Sequence, residues 1–438
     1  MVSGLRPTVP PPADLQLGEL HGSLADPAMN AMNFLNEISA RYPQAVSFAA
    51  GRPTEDFFDL EDVHRHLRRF TGYLRTERGL SEAEVRRTLM QYGRTKGIIH
   101  ELIAAHLGVD EGITADPESV VVTNGCQEAM YLVLRALGRG PRDVVLAVSP
   151  TYVGFAGAAR LCDLPVRPVH GGPRGVDLDD LARRLAEARA EGLRPRALYV
   201  IPDVANPTGV SMDLETRRAL LAVAAEEGLL LLEDNPYGVF AGAGRPPSLK
   251  ALDTGRRVVH LGSFAKTSVP GARIGYLVAD QTVAGPDGSA GLLADRISVL
   301  KSMLSVNTSP LAQAVVGGGL LAHGLSLRAG NHREIALYER NRRLLLQGLS
   351  DRFADRSDLA WNSPAGGFFL ALTVPFEVDD ALLEHSARAY GLLWTPMSYF
   401  YGGAGGRRQI RLSFSGLRPE EINAGLDRLA ALVEERSR

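Results

Sequence analysis

Lysine is the scarce residue of this 438-residue chain: of its 48 lysines and arginines, the lysines are Lys96, Lys250, Lys266 and Lys301 alone. A guanidinium stays protonated and cannot condense with an aldehyde, whereas a lysine amine can once burial or neighbouring charge lowers its pKa. Any imine chemistry is therefore confined to four positions. Cysteine is rarer still, and Cys126 and Cys162 offer neither a disulfide framework nor zinc-ligand spacing, which makes the cytoplasm the expected compartment. No metal is expected either: His64 and His66 lie two apart among arginines without a third ligand nearby, the pattern of a solvated helix face. The net charge of −2 leaves no electrostatic footprint for nucleic acid. Long apolar runs are missing too; Leu229 to Leu232 is typical and far too short to span a bilayer. Met1 to Asp14 is proline-rich, with no basic region leading into an apolar core, so it does not read as a signal peptide. Internal repeats are absent.

What is present is ordinary globular material, 45% hydrophobic and 22% charged, long enough for two domains. Residues up to about Pro53 read as an extended arm with one helix over Met29 to Tyr42 and an alternating strand over Ala45 to Ala49. Strands are predicted at Ser119 to Thr123, Val144 to Val148, Ala197 to Ile201, Leu229 to Glu233, Val258 to Leu261 and Ile274 to Val278, with helices at Gln127 to Leu137, Leu178 to Ala190 and Leu214 to Glu227. Such alternation predicts an α/β fold with a mostly parallel sheet covered by helices on both faces. After a long helix near Asn331 to Arg352 come strands at Gly367 to Leu372 and Gln409 to Ser413 and helices at Asp379 to Tyr390 and Pro419 to Glu435, a small α+β domain. The expected division is an arm and part of the small domain over 1–55, a large domain over 56–329 and the small domain over 330–438. Gly402 to Gly406 does not link a strand to a helix and reads as a flexible loop rather than a dinucleotide fingerprint.

In open parallel sheets the ligand sits beyond the carboxyl ends of the strands, so each of those ends should carry a working residue. The first strand leads into Asn124-Gly125-Cys126-Gln127, opening a helix whose free amides suit a phosphate. Tyr152 follows the second and reads equally as a core tyrosine or a ring lying over a ligand. Asn206-Pro207-Thr208-Gly209 follows the third and Glu233-Asp234-Asn235-Pro236-Tyr237 the fourth. Lys266 falls in the connection Ser263-Phe264-Ala265-Lys266-Thr267-Ser268-Val269-Pro270-Gly271-Ala272-Arg273 between the last two strands. Ser263 and Arg273 flank it as a hydroxyl and a guanidinium would if they held a phosphate while the amine reached an aldehyde. Lys250, by contrast, lies in a turn-rich segment expected at the surface, and Lys301 has no small-residue loop around it.

These motifs, in this order, resemble the fold-type I pyridoxal-phosphate enzymes of aminotransferase class I/II, over nearly the whole chain from Val46 to Leu432. The likeness is greatest to the kynurenine/2-aminoadipate and multi-substrate aromatic branch; Leu24 to Phe58 resembles arylglycine transaminases of specialised metabolism. The resemblance implies pyridoxal 5'-phosphate on Lys266, Asp234 paired with the pyridinium nitrogen and Asn206 and Tyr237 on the phenolic oxygen. It places Cys126, Gln127, Ser263 and Arg273 at the phosphate, Tyr152 over the ring, and Arg411 as a two-pronged clamp for the substrate carboxylate. It also places Tyr92 in the partner's phosphate site, hence a homodimer. Cys126 departs from the family's usual serine, though the backbone donors remain. Without the resemblance Arg411 would pass for an edge-strand arginine. Arg94 and Lys96 stand where the family commonly has proline and glutamate, and are either solvated or facing an acidic or phosphate-bearing substrate.

The implied reaction is transfer of an amino group between an amino acid with an aromatic or bulky side chain and a 2-oxo acid. The motifs alone leave open γ-replacement or annulation on a substrate resembling S-adenosylmethionine, decarboxylation or oxidation. A cofactor-binding regulator would need an added winged-helix domain, and only a short arm precedes Val46.

Overall fold

The computed structural model describes residues 14–26, 29, 34, 37–403 and 405–437. Most of the proline-rich start lies outside them, as does part of the expected helix over Met29 to Tyr42, of whose described residues 29, 34 and 37–41 are helical. β1 (Val46–Ser47) follows.

Seven strands form the main sheet: β2 (Val120–Asn124), β3 (Asp143–Ser149), β4 (Val166–His170), β5 (Arg194–Val200), β6 (Leu230–Asp234), β7 (Val258–Ser263) and β8 (Ile274–Val278), in the spatial order β2-β8-β7-β6-β5-β3-β4. The neighbours from β7 through β6, β5 and β3 to β4 are parallel, and β8 runs antiparallel to both β7 and β2. The central strands are apolar runs buried on both faces, as parallel strands under two helix layers must be. Alternate side chains divide between two cores: Val145, Ala147 and Leu232 pack into one, and Leu146, Leu198 and Leu231 into the other. The expected strand ends differ by at most three residues, with β8 matching its expected bounds, and β4 has no counterpart among the expected strands. Its sequence, Val-Arg-Pro-Val-His, is broken by a proline and lies at the sheet edge, where alternation is weak and proline is tolerated.

Helices α1 (Leu60–Thr76), α2 (Glu82–Met90), α3 (His100–Glu111), α4 (Cys126–Leu137), α5 (Val153–Leu161), α6 (Leu178–Ala190) and α7 (Leu214–Glu226) surround the sheet. His64 is exposed on α1, while His66 is half-buried with its ring edge-on to His323, 6.5 Å away. β9 (Thr282–Ala284) and β10 (Ala290–Leu292) form a hairpin before α8 (Leu293–Leu304) and α9 (Pro310–Ala322).

The long α10 (His332–Phe353) leads to β11 (Ala360–Trp361), β12 (Phe369–Thr373), β13 (Leu392–Leu393), β14 (Thr395–Pro396) and β15 (Gln409–Ser413), then to α11 (Pro419–Arg436). The small sheet has the order β11-β12-β15-β14, and a separate core joins it to α10 and α11. The helix expected over Asp379 to Tyr390 divides into an α-helix, Asp380–His385, and a π-turn, Ser386–Tyr390. The N-terminal segment is tied to this part of the fold: β1 pairs in parallel with β13, Ser413 N donates to Phe48 O at 2.8 Å, and Ser415 Oγ donates to Arg52 O at 2.6 Å. These bonds hold residues 48–52 over the carboxyl ends of the main-sheet strands.

Candidate active site

At those carboxyl ends lies a cavity of about 220 Å³. It is lined by Cys126, Gln127, Tyr152, Asn206, Asp234, Tyr237, Ser263, Lys266, Arg273 and Arg411, together with Gly51, Phe369 and Phe400. The sequence-predicted residues therefore converge, save one. Tyr92 is 82% exposed and does not reach the cavity of its own chain.

The four lysines part company here. Lys96, far from being solvated or facing a substrate, is buried, with Nζ 2.6 Å from Asp295 Oδ1 and 2.6 Å from Glu118 O; Arg94 pairs with Glu118 as well. Lys301 is fully buried on α8 against Glu128 at 2.8 Å. Lys250 corrects its surface expectation. The Glu233 carboxylate accepts from the backbone N–H groups of Leu249 and Lys250, which docks that turn onto the sheet and buries the side chain against Asp280 at 2.7 Å.

Lys266 alone has no carboxylate partner among the described residues; its Nζ donates to Gly51 O at 2.7 Å and lies 5.9 Å from the Tyr237 ring centre. Burial, reinforced by the charges of Arg411, Arg273 and Arg52, lowers its pKa to about 8. A free amine is the nucleophile, so its share rises with pH through that lowered value. The cofactor-free protein should capture an added aldehyde at a rate that rises with pH and has its inflection near 8, measured by stopped-flow absorbance. An inflection near 10.5, the value of an ordinary lysine, would mean that the amine is solvated.

Around Lys266 stand two anion-seeking regions. α4 begins at Gly125 with no side-chain cap, which leaves its first-turn N–H groups open. Arg273, in a left-handed conformation at φ 53°, packs so tightly here that a Cβ on Gly125 would come within 2.5 Å of Nη2. The Gln127 side chain is otherwise occupied, donating to Gly154 O at 2.6 Å, and Ser263 Oγ accepts from Ala265 N at 3.2 Å. The backbone of Cys126 faces this region while its thiol turns elsewhere, 3.5 Å from Asp234 Oδ1.

The second region is Arg411. It sits on β15 between β12 and β14, so it is an interior rather than an edge-strand arginine, and it is 6% exposed. Its partners are all neutral: Nη1 donates to Asn206 Oδ1 at 2.8 Å, and Nη2 to Ala49 O at 2.8 Å and Thr395 Oγ1 at 3.2 Å. Nε has none. The guanidinium carbon lies 4.4 Å from the Phe369 ring centre and 5.0 Å from that of Phe400. Burial without a counter-charge pulls its pKa down to about 10. A buried cation left this way is poised for an anion brought by a ligand.

Asp234 ends β6, 3% exposed. Burial raises its pKa to about 6 against the hydrogen bond from Tyr199, whose hydroxyl donates to Oδ2 at 2.6 Å. Tyr199 escaped the sequence reading because it sits inside a strand and carries no turn motif. Phe369, Phe400 and Gly51 were missed for a related reason, since their roles depend on contacts made by distant parts of the chain. Tyr152 and Tyr237 are held protonated: burial lifts the first to about 12 and the second well above 10.

The donor set fits pyridoxal phosphate. It offers an amine of lowered pKa, with no carboxylate partner among the described residues, for the aldehyde, open amides with an arginine for the phosphate, and a buried carboxylate for the ring nitrogen. The comparisons with known proteins agree. The model of the family described as "Aminotransferase class I and II" matches residues 46–429. The chain is 56% identical over 424 residues to the (S)-3,5-dihydroxyphenylglycine transaminase of Amycolatopsis orientalis, covering 97% of this chain and 96% of that one. It superposes with a TM-score of 0.82 on the Pyrococcus horikoshii kynurenine aminotransferase, solved with PMP, KYN and KYA, at 26% identity over 96% of this chain and 97% of that one. It is also similar to the α-aminoadipate aminotransferase LysN of Thermus thermophilus, TM-score 0.77 at 28% identity, over 97% and 99% of the two chains. These relatives favour transamination over replacement, decarboxylation, oxidation or a regulatory role. The chain belongs to the aminotransferase class I and II family, as a fold-type I enzyme that works with pyridoxal phosphate.

Proposed function

We propose that Lys266 bonds covalently to the cofactor aldehyde, with Arg273, Ser263 and the backbone N–H groups of Cys126 and Gln127 on its phosphate. Asp234 would face the ring nitrogen, Asn206 and Tyr237 the phenolic oxygen, and Tyr152 the ring. Once bound, the cofactor supplies an electron sink for the substrate's α-carbon. Lys266 Nζ, freed when the substrate amine takes its place, would take the proton from that α-carbon and deliver it to the carbon that had carried the cofactor's aldehyde, which completes the transfer. Arg411 receives the substrate carboxylate on its open donors, with Asn206 and Thr395 holding the fork in plane. The observation that carries this reading is Lys266 itself, the one lysine of four that has no carboxylate partner among the described residues, in a cavity that also holds two guanidiniums, Arg273 and Arg411, with no ion pair to a described carboxylate.

The substrate we infer is an aromatic amino acid or arylglycine exchanged with its 2-oxo acid, in specialised metabolism. Support comes from the aromatic rings around the site, Tyr152, Tyr237, Phe369 and Phe400, and from the 56% identity to an arylglycine transaminase. The test is an absorbance screen against an amino-acid panel, read as bleaching of the bound cofactor's yellow band. Phenylglycines and aromatic amino acids should bleach it fastest; a preference for aspartate or alanine would contradict the assignment.

We infer that the enzyme is a homodimer. Tyr92 lies on a loop whose Gly93 approaches Asn307 and Pro310, on a chain that also exposes Val299, Met303, Val306 and Leu311 nearby in sequence on α8, α9 and the loop between them. Single exposed apolar residues are common, but a concentration of them marks an interface, and pairing two copies would bring Tyr92 to the partner's phosphate region. Sedimentation of the purified protein as a monomer would refute it. Among the described residues no helix is long and apolar enough to cross a membrane, and we place the enzyme in the cytoplasm, in keeping with its two free cysteines.

A further inference from the structure

Both oxygens of the Asp234 carboxylate are engaged by the protein itself. Tyr199 OH donates to Oδ2 at 2.6 Å, and Cys126 Sγ lies 3.5 Å from Oδ1. Tyr199 is held from three directions. The β5–β6 register sets it opposite Leu232, two residues before Asp234 and therefore on the same face of the sheet. Its ring stacks on Phe155 at 3.9 Å with an interplanar angle of 12°, and only 1% of the residue is exposed. Burial lifts the phenol well above 10 and the Cys126 thiol well above 9, so both remain protonated and can only donate to the carboxylate.

We propose that Tyr199 is a positioning residue of the reaction, acting through Asp234: it orients that carboxylate and keeps it ionised to face the cofactor's ring nitrogen, with Cys126 as a second, weaker donor. The inference rests on the reading of Asp234 as the nitrogen's partner. Its physical basis is the cost of a carboxylate in a dry site. Burial drives Asp234 toward the neutral acid, and Tyr199 heads the influences that oppose it, ahead of Cys126, His260 on β7 and Lys266. A neutral acid in this place would have no charge with which to hold a proton on the ring nitrogen, and the electron sink would weaken.

Tyr199→Phe removes the hydroxyl and keeps the ring on Phe155, so folding should survive, as a melting curve will verify. The holoenzyme is reconstituted with pyridoxal phosphate carrying ¹⁵N in the ring, and its nitrogen resonance is read near neutral pH. In the parent enzyme it should report a protonated nitrogen. In Tyr199→Phe it should move toward the unprotonated position, with kcat down roughly 10- to 100-fold, the worth of one hydrogen bond to a charge, and KM for the amino acid within about two-fold. Cys126→Ser, which supplies a stronger donor, should keep the parent resonance. An unchanged resonance in Tyr199→Phe, at any level of activity or stability, overturns the proposal and leaves Tyr199 a packing residue. An unprotonated nitrogen in the parent enzyme overturns the reading of Asp234 and this inference with it.

Discussion

Lys266→Ala should lose the bond to the cofactor and at least about 10²- to 10⁴-fold in turnover, the range for removing one positioned proton carrier. The protein should fold nonetheless, because the only bond that Nζ makes in the described structure is to a backbone carbonyl, Gly51 O, and removing a buried amine of lowered pKa relieves a desolvation cost rather than breaking an ion pair. Lys266→Arg is the matched control. It keeps a cation in the cavity, cannot condense with an aldehyde, and should be as inactive as the alanine variant. Steady-state amino transfer, measured as 2-oxo acid released, checks both. Turnover above a tenth of the parent value in either would take the chemistry away from this side chain.

The second large effect is expected at Arg411. Arg411→Lys keeps the charge but gives up the planar fork that Asn206, Thr395 and Ala49 O hold in place and the stacking between Phe369 and Phe400. Loss of a buried, charge-assisted two-pronged bond costs about 2–4 kcal/mol, or roughly 30- to 1,000-fold in kcat/KM for the amino acid. Cofactor affinity should stay within about two-fold, since Arg411 is assigned to the substrate alone. Fluorescence titration of the cofactor beside substrate kinetics separates the two, and equal damage to both would remove the assignment.

The sequence carried the fold and the ligand-facing strand ends because both follow from local pattern. Apolar runs alternating with amphipathic helices define the parallel sheet, and the last residue of β6 with the turns after β2, β5 and β7 place Asp234, Cys126, Asn206 and Lys266 at the carboxyl ends of its strands. What stayed hidden depends on pairings between distant segments. Lys250 looked exposed because its segment is rich in proline, yet Glu233, on β6 and 17 residues earlier, folds it inward through two backbone bonds. Lys96 looked available to a substrate until Asp295, nearly two hundred residues later, closed on it. Arg411 resembled an edge-strand residue because no local signal announces that β14 will cover the outer side of β15. Tyr199 follows the same logic, as its partner comes from the neighbouring strand.

The bond between Lys266 and the cofactor is read directly by borohydride reduction of the purified holoenzyme followed by peptide mapping. The cofactor's mass should appear on the peptide that contains Lys266 and on no other. Label on Lys96, Lys250 or Lys301, each buried beside a carboxylate, would contradict the central assignment.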